Sequence, residues 1–188
     1  MENQPVYISL EFTPNPNTLK YSVNRELIPS GAVNMTSRQE AEEKSELGET
    51  LFAIEGIEGV MIGRDFVTIT KSETGDWDLV HKNASQSLEA FLTQEDKQVI
   101  KPGALGTTEG QMDETAIKIR SFLENEIRPA VAMDGGDISF EKYDQGTVYV
   151  HLQGSCSGCP SATATLKQGI EARLKQLIPG VKEVVAVD

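Results

Sequence analysis

The chain has 188 residues with 38% hydrophobic and 6% aromatic content, enough for two small cores rather than one large one. Seventeen basic against twenty-nine acidic side chains give a formal charge of −12. Such a surface repels nucleic acid and anionic membranes, and no continuous apolar run is long enough to span a bilayer. The charge is uneven. Residues 1–111 carry eighteen acidic and nine basic side chains, against eleven and eight from Met112 onward. The start, Met1-Glu2-Asn3-Gln4-Pro5, has neither the basic and apolar parts of a signal peptide nor an Arg-rich transit sequence, and the expected location is cytoplasmic.

In chain order, Val6, Ile8, Leu10 and Phe12 alternate with mostly polar neighbours and predict a strand. Thr13-Pro14-Asn15-Pro16-Asn17 is turn chemistry, and Leu19, Tyr21 and Val23 alternate again, so a hairpin is expected. Residues 24–37 read as irregular. Ser37 followed by Glu40 has capping-box spacing, predicting helix towards Ile54 with an interruption at Gly48. Val60–Ile62 and Phe66–Lys71 read as strands around Gly63-Arg64-Asp65. A helix over 78–92 closes the unit, with Leu79, Leu88, Phe91 and Leu92 as its apolar positions. Trp77 is expected in the core, and His81, without a Cys, His or Asp at ligand spacing, on a solvated face. These residues predict a first α+β domain over 1–92.

From Thr93 to Gln111 the periodicity dissolves into glycine, proline and polar residues, with Val99-Ile100 the only apolar pair, and a flexible linker is expected. A second domain over 112–188 begins with a helix capped by Asp113, striped by Ile119, Phe122, Leu123 and Ile127, and expected to stop near Pro129 or to carry a short further turn through Val131. Ile138–Tyr143 and Thr147–Leu152 form a hairpin around Asp144-Gln145-Gly146. A long helix to Ile178 and a last strand over Val181–Val187 complete an α-β-β-α-β order, with both helices on one face of a small mixed sheet.

The only cysteines of the chain, Cys156 and Cys159, lie in Gly154-Ser155-Cys156-Ser157-Gly158-Cys159-Pro160, between the hairpin's second strand and the long helix. Proline suits a first helical position, so Cys159 is expected at the helix N-terminus, where the dipole and free N–H groups favour a thiolate or an anionic ligand. The flanking glycines suggest an exposed turn rather than a buried pair. A [4Fe–4S] cluster or a structural zinc takes about four ligands, and one chain offers two thiols. His151, on a strand whose Val148, Val150 and Leu152 face the core, should point away from it and is not a ligand. Two chains could close a four-sulfur site across a symmetry axis. A thiol–disulfide oxidoreductase and a zinc-bridged structural dimer use the same residues, although a redox C-x-x-C ordinarily precedes the first helix of a β-α-β unit.

Residues 112–188 resemble the C-terminal domain of the NifU family, through Ile127-Arg128-Pro129, Met133-Asp134-Gly135-Gly136-Asp137, the cysteine turn and Pro179-Gly180-Val181. Residues 6–92 resemble the N-terminal domain of Nfu proteins, through Phe12-Thr13-Pro14-Asn15-Pro16-Asn17-Thr18-Leu19-Lys20 and Ile54-Glu55-Gly56-Ile57-Glu58-Gly59-Val60. The further scaffold domain and ferredoxin-like cysteines of full-length NifU are absent from the sequence. The resemblance implies an iron–sulfur scaffold or carrier, not an enzyme. It would hold a labile [4Fe–4S] cluster between two subunits through Cys156 and Cys159, with [2Fe–2S] or zinc as other occupants. Its partners would be a second copy, upstream assembly machinery and apo iron–sulfur clients, with neither nucleic acid nor membrane among them.

Overall fold

A computed structural model describes residues 5–94, 97–104, 113–157 and 160–187, with only the backbone of 160–162. The chain is α+β and divides into two compact units, Met1–Thr107 and Thr108–Asp188. No helix among the described residues is long and apolar enough to cross a membrane.

In the first unit the alternating segments become strands β1 (Ile8–Phe12), β2 (Thr18–Val23), β3 (Val33–Met35), β4 (Ile57–Ile62) and β5 (Phe66–Lys71). They form one antiparallel sheet in the order β1-β2-β5-β4-β3. The expected β1–β2 hairpin forms, with Leu10 opposite Tyr21 and Phe12 opposite Leu19. Period-2 alternation sends Leu19, Tyr21, Val60, Ile62, Val67 and Ile69 to one face. There they join Leu47 and Leu51 of α2 (Glu46–Phe52) and Val80, Ala84 and Leu88 of α3 (Trp77–Leu92).

Several expectations for this unit are corrected. Residues 24–37 contain β3, three residues too short to show a period, which exists because Val33 and Met35 pair with β4. The helical run breaks at Ser45, not Gly48. Ser45 ends α1 (Arg38–Lys44), and its side chain accepts the Gly48 N–H at 2.9 Å to start α2. Gly48 lies inside α2, where a Cβ would come within 2.5 Å of the Met35 sulfur. Ser37 does cap α1, while the Glu40 carboxylate takes the Thr36 N–H at 2.7 Å instead of the cap's own. Leu79 is exposed; Val80 and Ala84 are the inward positions of α3. Trp77 is half-buried against the core edge, its indole N–H donating to the Pro16 carbonyl. His81 is not a free surface residue, since its Nδ1 lies 3.1 Å from the Tyr21 hydroxyl and the two rings stack.

Residues 97–104 run along α1 and α2. Val99 and Ile100 pack on the first core, the Ser45 hydroxyl donates to the Val99 carbonyl, and Lys101 N–H donates to the Lys44 carbonyl at 2.8 Å. An apolar pair inside polar sequence gains about 25 cal/mol for each Å² it removes from water, which fastens this stretch.

In the second unit Asp113 caps α4 (Glu114–Phe122), its carboxylate accepting the Ala116 N–H at 2.7 Å. The helix does not stop at Pro129. It widens into a π turn (Leu123–Ile127), in which Arg128 N–H reaches the Leu123 carbonyl, and continues as α5 (Arg128–Met133). Pro129 therefore falls in the first turn of a new helical segment, where a missing N–H leaves no bond unmade. Strands β6 (Gly136–Asp144) and β7 (Thr147–Gly154) form the hairpin, with Gln145 and Gly146 both at positive φ (48° and 97°), as a two-residue I′ turn needs. Helix α6 (Pro160–Leu177) begins at the expected proline and leads to β8 (Glu183–Val187), which lies parallel to β7. The sheet order is β6-β7-β8, so β7, whose end leads into the cysteine turn, is the central strand.

Candidate functional site

Strand β7 ends at Gly154, whose φ of 64° turns the chain out of the sheet. The next residues are tied to the loop between α5 and β6. Ser155 N–H donates to the Gly135 carbonyl at 3.1 Å and its hydroxyl donates to the Asp134 carbonyl. Ser157 hydroxyl donates back to Gly154, and Thr163 hydroxyl, from the second turn of α6, donates to the Cys156 carbonyl at 2.9 Å. Met133-Asp134-Gly135-Gly136-Asp137 is thus the opposite wall of the cysteine turn. Gly158 and Cys159 lie outside the described residues, and with them the expected placement of Cys159 at the helix N-terminus.

Cys156 is not on an exposed turn. It is 8% exposed and belongs to the second core with Ile138, Val150 and Ile170. Space for it is left by Gly136, opposite Gly154 in the β6–β7 ladder: a Cβ on Gly136 would overlap the Cys156 sulfur. Burial pushes this thiol's pKa up; the Ser155 hydrogen bond opposes that, and the Asp134 and Asp137 carboxylates add to it. The surroundings of Cys156 therefore disfavour a thiolate; the thiolate-favouring helix N-terminus is expected at Cys159, outside the described residues.

Asp137, 5% exposed, holds the other side of the wall. Its carboxylate meets Arg128 Nε at 2.8 Å, and a second guanidinium nitrogen donates to the Ile138 carbonyl at 3.0 Å. Burial still outweighs the arginine, and the Asp137 pKa stands above the usual value. His151 meets Glu141 on the neighbouring strand, Nε2 to Oε2 3.0 Å, and is part-exposed, facing away from the core as expected. Among the described residues no group of three or more His, Cys, Asp or Glu side chains could hold a metal.

Sequence reasoning singled out the cysteines and gave no role to the residues around Cys156: Gly136, Asp134, Asp137 and Arg128. The signal was the Asp-Gly-Gly-Asp cluster, legible as a turn, whose pairing with the cysteine turn only the hairpin register reveals.

Two family models match this chain. That of the NifU-like domain covers residues 119–185, and that described as the N-terminal part of the scaffold protein Nfu/NifU covers 8–95. The chain belongs to the Nfu family. Among its curated relatives are proteins named NFU1 iron-sulfur cluster scaffold homolog, mitochondrial, from Drosophila grimshawi (36% identical, 96% of this chain) and Drosophila willistoni (35%, 100% of this chain). This Nfu chain spans 61% and 65% of those two relatives' lengths. The solution structure of a NifU-like protein from Saccharomyces cerevisiae is similar at 24% identity, covering 53% of this chain and 88% of that one with a TM-score of 0.46. The relatives' names overturn the cytoplasmic expectation, because they are mitochondrial.

Proposed function

We propose that this Nfu chain carries an iron–sulfur cluster, [4Fe–4S], bound by Cys156 and Cys159 of two copies, and hands it to apo-proteins. The observation that carries this reading is the seat of Cys156. It is one of only two thiols in the chain, within the span matched by the NifU-like model, set against Gly136 and faced by the Asp134 and Asp137 carboxylates. Thiolates are soft ligands suited to iron, zinc and iron–sulfur clusters, so the donor set fits this cargo. Coordination to iron lowers a thiol's pKa, so ligation itself removes the proton that burial retains. Two thiols per chain leave half of a four-sulfur site unfilled, and a second copy supplies the rest.

The same environment counts against a thiol–disulfide oxidoreductase, whose attacking sulfur needs a lowered pKa and access. No substrate bond is broken in this reading, so the chain acts as a carrier rather than an enzyme. Upstream, an assembly system supplies iron and sulfide; downstream, apo iron–sulfur proteins accept the cluster by exchanging their own thiolates for those of the carrier. We assign recognition of these clients to the first unit, which carries most of the negative charge and neither thiol. Client transfer unchanged on deleting residues 1–92 would refute that assignment.

The test is anaerobic reconstitution with iron and sulfide, followed by metal and sulfide analysis of the sizing-column peaks. The expected result is a brown dimer with about two irons and two sulfides per chain. A dimer with about one of each would point to [2Fe–2S], and a colourless zinc dimer to a structural bridge; either overturns the [4Fe–4S] reading. A colourless monomer that reduces disulfides would move the assignment to redox chemistry.

A further inference from the structure

The geometry points to a sheathed resting position for the Cys156 thiol: in the cluster-free chain it lies in a niche made by the missing side chain of Gly136, and it leaves that niche by side-chain rotation to become a ligand. This rests on the proposed role of Cys156 as a cluster ligand. The niche follows from packing. A Cβ on Gly136 would overlap the Cys156 sulfur and stand 3.1 Å from both the Cys156 Cβ and the Gln153 carbonyl oxygen. Gly136 is not at positive φ, so it is required here for space rather than for backbone conformation.

A ligand shared with a second copy has to reach the surface, and a side chain 8% exposed does not. The backbone leaves little freedom to carry it there. The Ser155 N–H and hydroxyl are bonded to the carbonyls of Gly135 and Asp134, and the Cys156 carbonyl is held by Thr163. Movement about χ1 is what remains, and rotamer exchange is fast compared with any rearrangement of the sheet. In the niche the sulfur is screened from oxidants and alkylating agents; outside it, it can meet a cluster. The device protects a thiol that works only when loaded.

The test needs no cluster, so its failure is separable from failure of the carrier reading. With Cys159→Ser, Cys156 is the sole thiol of the full chain, and iodoacetamide alkylation followed by intact mass reports that sulfur alone. The folded, metal-free protein is expected to alkylate about tenfold or more slowly than the same chain in concentrated urea at the same pH. Equal rates would overturn the sheath. Adding Gly136→Ala fills the niche and is expected to raise the folded-state rate about tenfold. The control is Val184→Ala, a destabilising change in the same core that leaves Gly136 intact. If both variants accelerate alkylation alike, the protection is general stability and the niche assignment falls. Should Gly136→Ala fail to fold, the comparison of folded and urea-unfolded Cys159→Ser protein still decides whether the thiol is sheathed, equal rates overturning it.

Discussion

The two units solve the same packing problem with different tolerance for polar chemistry inside. The first builds a five-stranded sheet and a core of aliphatic and aromatic side chains, and spends its buried polar groups on fastening: Ser45 starts a helix and anchors residues 97–104. The second has three strands, and its smaller core admits a thiol beside a buried aspartate that an arginine only partly compensates. In the second unit the local conflict sits beside the proposed ligand, whereas in the first sheet the buried side-chain oxygen left without a partner, among the described residues, is that of Thr68.

The sharpest way to break this contrast is to remove a thiol. Cys156→Ser or Cys159→Ser is expected to abolish bound iron and sulfide on the dimer, while Phe12→Ala, at an 87% exposed position of the first unit, leaves loading unchanged. Next comes the buried pair. Arg128→Met strands the Asp137 carboxylate and should cost the second unit about 3–5 kcal/mol, seen by amide exchange in β6 and β7. Trp77 is the sole tryptophan and lies in the first unit, so its fluorescence transition should not move in that variant. That transition should respond instead to Ser45→Ala, which removes a helix cap and an anchor for Val99, by about 1–2 kcal/mol.

The smallest effect expected is one of sign with pH. Hydrogen bonds from Lys44 and the Thr36 N–H pull the Glu40 pKa down to about 2, so its contribution is present above the unfolded value and lost as pH falls towards 2. Asp137 runs the other way. Its raised pKa makes the folded state prefer the proton, so its contribution is full below the unfolded value and fades as pH rises through the folded one. Between pH 6 and 3, Glu40→Gln should flatten the acid sensitivity of the Trp77 transition. Asp137→Asn should remove an opposite slope from amide exchange in the second unit.

Much of this was legible in the chain. Alternation located four of the five strands of the first sheet and the hairpin of the second, because one face of each strand is apolar. The residues that escaped are those whose state is set from across the fold. Strand β3 is defined by its partner β4, and His81 by the Tyr21 hydroxyl. Helix continuity through Pro129 depends on a π turn that composition does not announce. At the site, the type and spacing of the cysteines pointed to a ligand pair or a redox pair, but the burial of Cys156 follows from a glycine twenty residues upstream. Glycine-rich sequence looks exposed until one knows which glycine is the floor of a pocket.

The parallel pairing of β8 with β7 has a consequence for how the protein is made. Thr147 and Glu183 are partners 36 residues apart, joined through α6, so the central strand has only one flank while the intervening chain is still being synthesised. The β6–β7 hairpin closes locally and early, whereas the parallel contact closes late. Until then the second core lacks Val184, and α6, which supplies the hydroxyl that grips Cys156, lacks β8 as a neighbour. A nascent chain therefore carries its sulfur on a half-built sheet, and the interval before β8 docks is when the thiol is open to any metal or oxidant that reaches it first.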